Sequence, residues 1–583
     1  MFRRITLLFV CFCLFALNGI SACSDPLRPM PLNTYIDKMK GGWAGQMIGV
    51  SYGAPYEFRS QGKIDDGEIR EWKPEYIDNS IDQDDLYVEM TFLQAIEAKG
   101  ISISARDAGW FFRDSKYDLW HANRAARDNL RLGIPAPKSG HPKYNRHADD
   151  IDFQIESDLF GLLCPGMPLA AQDFCNRFGH IMNYGDGVYG GMFVTAMGSV
   201  AFLENNVVEI VRAGYRAIPA ESEYGMLIKD VLDCYDKDPN NWRACWELLE
   251  KKWAQDDICG ANSPFNIDAK LNGGYVAIGL LWGKGDWDKT LEIATRCGQD
   301  SDCNPSSAAA ILGIISGYSQ IPAKFTAGIP AIADRNFSYT NYNFHTLADT
   351  CAEYAKEVVT QYRGKITTEN GNIVLHIAVQ DPTPPKKLEQ FTDAMVEEYK
   401  PFWSKHDAAI RANRLKMAVK EWNPEWELVD CGQEMNPGLR KSYMGREKVL
   451  VTHPLNRETP AVLKRTVTIP KDSRARLRLV VTHHIEVPES DWQLRVIVNG
   501  ELIGTERIAG QKEQSPWKTL EYDLKPYAGK KVTIQLENAA NDWKYEAAYW
   551  AMREERYAAP SGEVRACAAA CCMGVLVAKV RNW

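Results

Sequence analysis

Between about residues 34 and 363, apolar positions recur at the three-to-four-residue spacing of helices buried along one face. Val194, Met197 and Ala201 form one such set, and Ala352, Tyr354 and Val358 another. This periodicity predicts a mostly helical domain. A polar, proline-marked passage follows, GKITTENGNIVLHIAVQDPTPPKK, and then a further helical pattern over residues 388–422. From Lys448 onward the texture changes to short alternating runs such as VLKRTVTIP, RLRLVVTHHIEV and KKVTIQLENA, broken by Pro, Gly and the Asn499-Gly500 turn pair. Alternation at period two between such turns predicts an antiparallel β-sandwich. The expected organisation is a helical domain over 30–363, linker and extra helices over 364–440 and a sandwich over 441–557. A tail, 558–583, fits neither pattern.

Two stretches carry small residues every fourth position: Gly41, Gly45 and Gly49, and Ala309, Gly313 and Gly317. Each makes a bare ridge on one helix face, so two helices that approach another backbone closely are expected. Acids stand beside the ends of these helices. Glu57 follows the first, Asp300 and Asp302 precede the second, and Asp82, Asp84 and Asp85 open a third helical pattern. One reading is helix capping, for which Asn304-Pro305 is itself a good pair. A cap needs one acid, however, and both clusters supply a second. Adjacent carboxylates repel unless solvated or held by a cation, and hard oxygen donors in this number suit Mg²⁺, Mn²⁺ or Ca²⁺.

Length and composition narrow the field. With 583 residues, 45% hydrophobic and 25% charged, the chain has room for two or three domains with real cores. A formal charge of -8 without a long basic block points away from nucleic acid and anionic membrane surfaces as partners. The start reads as a secretory signal over 1–22: Arg3 and Arg4, an apolar run over 5–17, then Ile20-Ser21-Ala22-Cys23. That last tetrapeptide resembles a bacterial lipobox, so Cys23 is expected to bear lipid on a periplasmic or outer-membrane lipoprotein. Lipid at that position would be the only membrane attachment. The 15 cysteines show neither a disulfide framework nor zinc-ligand spacing, and are expected to be mostly small core residues.

The acid clusters, in order, resemble those of the ADP-ribosylglycohydrolases. The family's Gly-rich helix ending in GD-x-x-G-x-x-x-E reads here Gly49-Val50-Ser51-Tyr52-Gly53-Ala54-Pro55-Tyr56-Glu57. Its [ST]-D-D-T motif reads Gln83-Asp84-Asp85-Leu86, and its D-[ST]-D-[ST] motif reads Asp300-Ser301-Asp302-Cys303. The resemblance implies an all-α orthogonal helical bundle with one or two Mg²⁺ ions between the second and third motifs. Asp84, Asp85, Asp300 and Asp302 would be ligands, Gln83 would offer an oxygen, and Glu57 would be the acid or base. It further implies hydrolysis of an N- or O-glycosidic bond of a ribose-like or related sugar in a small glycoside or oligosaccharide. Val50, Gln83, Leu86 and Cys303 depart from the pattern, which points away from ADP-ribose itself. In the segments NRHADDIDF and YGGMF, Asp149, Asp150 and Tyr189 are the candidate substrate-pocket residues.

Two other readings compete. Gly49-Val50-Ser51-Tyr52-Gly53 matches the G-x-S-x-G nucleophile elbow, but a helical run rather than a strand precedes it. The sandwich, resembling jelly-roll carbohydrate-binding modules, holds Trp492, Trp517, Trp543, Tyr545 and Trp550. These rings would serve either its core or a sugar face. The second functional class is therefore a non-catalytic carbohydrate-binding protein on a degenerate glycohydrolase scaffold.

Overall fold

The computed structural model describes residues 27–254, 264–471, 475–487, 489–510 and 516–551. The expected signal segment, Cys23 and the tail at 558–583 lie outside the described residues. The chain divides into two compact units, Met1–His406 and Asp407–Trp583.

The first unit is helical and is organised around one helix pair. Helix α1 (Leu32–Gly53) is buried on every side from Gly41 to Gly53, which a helix tolerates only when apolar or small residues cover its whole surface. The elements that frame the site follow it: α2 (Asp84–Lys99), α3 (His121–Arg131), α4 (Asp186–Ala201), α5 (Ala269–Gly283) and α6 (Cys303–Ser316). The two small-residue ridges meet each other. A Cβ added at Gly41 would stand 2.8 Å from the Gly313 carbonyl carbon, at Gly45 2.7 Å from Ala310 Cα, and at Gly49 2.5 Å from Ser306 Cα. Real Cβ atoms do not come that close to backbone, so α1 and α6 pack main chain against main chain. Ser51 lies within α1, wholly buried, so the G-x-S-x-G match is no nucleophile elbow.

A small sheet joins the helices. Strands β1 (Arg28–Pro31), β2 (Lys365–Glu369) and β3 (Asn372–Ile377) pair antiparallel in the order β1-β3-β2. The polar passage after residue 363 is thus a hairpin rather than linker. Asn370 and Gly371, at φ 51° and 82°, make its turn, and Leu375 and Ile377 bury fully in the helical core. Its two exposed faces hide the alternation expected of a strand.

The second unit holds two five-stranded antiparallel sheets. One runs β10 (Glu501–Ala509), β9 (Asp491–Val498), β12 (Lys531–Ala539), β7 (Ala461–Thr468) and β4 (Glu427–Asp430). The other runs β11 (Lys518–Asp523), β8 (Arg476–Thr482), β13 (Ala548–Ala551), β6 (Arg446–Thr452) and β5 (Gly438–Tyr443). One apolar core joins both sheets, with Trp492 of β9 and Trp550 of β13 at 5.1 Å between ring centroids. Pairing begins at Glu427 rather than near 441, because β4 has only four residues, mostly exposed, and shows no period. Trp492, Trp517 and Trp550 are buried, whereas Tyr545 is 49% exposed. Eight cysteines among the described residues are free, six of them buried. No helix among the described residues is long and apolar enough to cross a membrane.

Candidate active site

Three separate segments converge on one cleft of about 270 Å³: the turn after α1, the start of α2 and the loop before α6. The glycine ridge sets the first against the third. At Gly53, the last residue of α1, an added Cβ would lie 2.6 Å from Asp302 Cα. Beyond it the Phe58 N–H donates to the Gln299 carbonyl (2.9 Å), and the Gln299 N–H donates to the Ser60 carbonyl (2.9 Å). Phe58 and Gln299 take φ of 52° and 55°, left-handed values that non-glycine residues adopt only where surrounding structure enforces them. Glu57 and Asp300 are thereby held on two joined loops that both line the cleft.

Asp300 and Asp302 are buried, and each offers a ligand atom within 4.8 Å of the other and of the Cys303 thiol. Asp302 occupies the N-cap position of α6, yet its side chain makes no capping hydrogen bond and its Oδ1 is buried without a partner. Capping therefore does not account for it. Burial pushes the Asp300 carboxyl up to about 7, with Glu57 and Asp84 adding to the rise. Burial, then the charge of Asp300, drives Asp302 well above the usual carboxylate range. Asp84 opens α2, and burial raises it too. Glu57 reaches solvent at the cleft mouth, but its partial burial and then Asp302 and Asp84 raise it to about 7. No lysine or arginine lines the cleft among the described residues.

These carboxyls share a common cause: acids crowded together and partly or wholly buried, with the His121 imidazole beside Asp84 as their only opposing charge among the described lining residues. A divalent cation would relieve them: Asp300 and Asp302 lie close enough to share one, with the Cys303 thiol in the same group, while Asp84 lines the same cleft outside that group. Asp84, Asp300 and Asp302 line the cleft with carboxylate oxygens, Gln83 adds an amide beside them, and the unpartnered Oδ1 of Asp302 is a free donor. Asp85 is not among the lining residues. It lies one position deeper, where the Ser306 hydroxyl donates to its Oδ2 (2.6 Å) and so ties α2 to α6.

The other candidates separate. Asp150 is fully buried beside the cleft, with Oδ2 3.0 Å from His147 Nδ1 and 3.3 Å from His121 Nδ1. Burial opposes its charge, but the two imidazoles outweigh that and hold Asp150 below its ordinary value. The backbone of Asp149 pairs with Ala269, accepting its N–H at 3.0 Å, and neither acid lines the cleft. Tyr189 lies buried in α4, where its hydroxyl accepts from the Glu389 N–H at 2.6 Å. The structure does not bring it to the cleft.

The cleft holds residues that pattern reading passed over. Trp120, 53% exposed, stands at the rim, and His121 opens α3 at φ 40°. Asp152 accepts from the Ala122 and Asn123 N–H groups at 3.2 and 3.0 Å, and burial raises it to about 7. Ile151, Ile155 and Ile267 form an apolar wall with Phe58 and Phe265. The nearest sequence signal was Asp152 itself, two residues beyond Asp150 in HADDIDF.

The model of the family described as ADP-ribosylglycohydrolase matches residues 31–363. Nothing among the curated proteins matches. A chain of the solved structure titled "ADP-ribosylglycohydrolase-related protein complex" is similar at 12% identity with a TM-score of 0.39. The match covers 56% of this chain and 99% of that one. With the helical unit matched across all three acid clusters, the chain belongs to the ADP-ribosylglycohydrolase family, whose members are hydrolases.

Proposed function

We propose that the protein is an exported, metal-dependent glycoside hydrolase that cleaves an N- or O-glycosidic bond at the anomeric carbon of a ribose-like or related sugar. The observation that carries this reading is that Glu57, Asp84, Asp300 and Asp302 line one cleft free of lysine and arginine among the described residues. A bound Mg²⁺ or similar cation supplies polarisation of sugar hydroxyls and orientation of a water. Asp84, Asp300 and Asp302, with Gln83 beside them, are the residues that hold it. Glu57, whose carboxyl is raised first by its partial burial and only then by Asp302 and Asp84, is the group placed to give or take a proton, the role of a general acid–base. Trp120 offers an exposed face on which a sugar ring or aromatic leaving group stacks. The isoleucine wall excludes water from one side of the bound ring.

The test is release of reducing sugar from aryl-furanosides, aryl-pyranosides, nucleosides and ADP-ribosyl-arginine, with Mg²⁺ and with EDTA. One class should turn over only with metal, and Glu57→Gln should lower kcat by roughly 10²–10³ while KM changes little. Silence across the panel from a protein that binds no metal would sink the reading.

Metal binding should also show a pH signature in stability. Asp300 titrates near 7 in the metal-free fold against an ordinary 3.8, so the folded chain holds a proton that the unfolded chain releases. Its contribution is present at low pH and lost as pH rises from about 4 to 7, then flat. The unfolding midpoint in EDTA should therefore fall over that range. A cation replaces the proton, so the gain in midpoint on adding Mg²⁺ should be larger at pH 8 than at pH 5. Equal gains at both would show that the cation does not displace protons from these acids.

A second reading rests on the sandwich. Tyr545, exposed and at φ 57°, stacks on His484 at 5.9 Å, and His484 in turn stacks on Tyr549. Glycan affinity that persists in EDTA and falls in Tyr545→Ala would favour a binding role for that unit.

A further inference from the structure

We propose that His121, His147 and Asp150 form a second metal site, built of nitrogen and oxygen donors, that takes Zn²⁺ or a cation of similar softness. This inference is independent of the proposed hydrolase activity. Asp150 Oδ2 lies 3.0 Å from His147 Nδ1 and 3.3 Å from His121 Nδ1, and one ligand atom from each of the three residues lies within 4.8 Å of the other two. Zinc bonds of 2.0–2.1 Å in tetrahedral geometry place neighbouring ligand atoms about 3.3 Å apart, close to the two histidine–aspartate distances, so closing on the ion takes loss of the Nδ1 protons and small side-chain shifts rather than a backbone change.

Hydrogen bonding alone leaves this cluster unbalanced. Both imidazoles address the same oxygen, while Oδ1 of Asp150 is buried with no partner at all. A buried carboxylate oxygen without a donor is costly, and a cation between the three groups neutralises the carboxylate as a whole.

The scaffold is rigid where a site must be. Asn183 Nδ2 donates to the Asp150 carbonyl at 2.7 Å, and the Ile151 N–H donates to the Ile267 carbonyl at 2.9 Å. Asp152 holds the first N–H groups of α3 and so fixes where His121 enters, in a left-handed conformation that few histidines adopt. On the outer side, the exposed Arg146 donates to His147 Nε2 over a long 3.5 Å. Metal binding at Nδ1 would leave a proton on Nε2, and that arginine would swing into solvent. His121 lines the cleft, so the fourth coordination position opens toward it and holds water or a substrate oxygen. Two imidazoles and one carboxylate suit zinc far better than Mg²⁺, which separates this site from the all-oxygen set across the cleft.

The experiment uses the full chain, stripped of metal and titrated with Zn²⁺ by calorimetry in excess Mg²⁺, with Co²⁺ as the visible probe of coordination. The parent should bind Zn²⁺ at this site and give the intense Co²⁺ absorption of a four-coordinate ion. His147→Ala, whose side chain is only partly buried, should lose at least about a hundredfold in Zn²⁺ affinity and the Co²⁺ signal. Asp302→Ala should keep both. Circular dichroism of His147→Ala and its gain in midpoint on adding Mg²⁺ should match the parent, which excludes misfolding, while the midpoint itself falls because the buried Asp150 loses one of its two imidazole partners. Zinc affinity unchanged in His147→Ala, or lost instead in Asp302→Ala, would overturn the assignment.

Discussion

Asp302→Ala should reduce turnover by about four orders of magnitude or more, yet leave the metal-free protein close to the parent in heat stability. The two halves of this result follow from the same carboxylate. Its Oδ1 has no partner, it caps nothing on α6, and burial and Asp300 together drive it toward protonation. Removing it from the metal-free fold deletes a buried oxygen without a partner, and with it the hydrogen bond by which Asp302 lowers Asp300, two effects of opposite sign that leave stability little changed. On the proposed reading, removing it from the metal-bound fold would delete a ligand beside Asp300, and with it the polarisation that a cation would supply, worth several kcal/mol of barrier. The measurement pairs kcat with thermal unfolding in EDTA and in Mg²⁺. Were Asp302 an ordinary cap, the EDTA midpoint would drop by the equivalent of about 1 kcal/mol and activity would survive. The opposite pattern, activity gone and EDTA midpoint held, belongs to a ligand.

The acid clusters were legible because their redundancy is local: DD and DxD each occupy three residues or fewer, and capping leaves the second acid unexplained. The helix pair was legible for the same reason, since a ridge of small residues is written every fourth position. What pattern reading missed depends on contacts far apart in the chain. Tyr189 lies in a helix buried nearly all round, and its hydroxyl bonds a main-chain N–H 200 residues away, so its aromatic character says nothing about a pocket. Trp120 reaches the cleft rim as a lone exposed ring with no period around it. Asp150 adjoins the cleft without lining it, its place taken by Asp152, which turned inward because α3 begins there and needs an acceptor at its N-terminus. The hairpin after residue 363 was hidden because both its strands expose residues on two faces, leaving only Asn370-Gly371 as a sign.

Gly45→Val should destabilise the helical unit by about 3 kcal/mol or more, while Gly198→Ala should leave it unchanged or stabilise it by about 0.5–1 kcal/mol. Both glycines are interior to helices, and helix propensity alone predicts a gain at each, since glycine costs about 1 kcal/mol against alanine. Packing reverses the sign at one of them. The Cβ at Gly45 would lie 2.5 Å from the Ala309 carbonyl carbon and 2.7 Å from Ala310 Cα, both backbone atoms of α6 that cannot rotate aside. Relief requires the two helices to separate, and separation moves Glu57 away from Asp300 and Asp302, because α1 and α6 carry the two sides of the cleft. At Gly198, on α4, the nearest atoms are Gly161 Cα at 3.5 Å and the Ile314 Cδ1 at 3.6 Å, ordinary contact distances that a methyl group fills without strain. Denaturant unfolding of the two variants, with kcat measured on whatever fraction folds, separates the readings. If Gly45→Val proved neutral, the α1–α6 contact would be too loose to position the site. If Gly198→Ala proved as damaging as Gly45→Val, glycine in this unit would be required for reasons other than close approach of backbones.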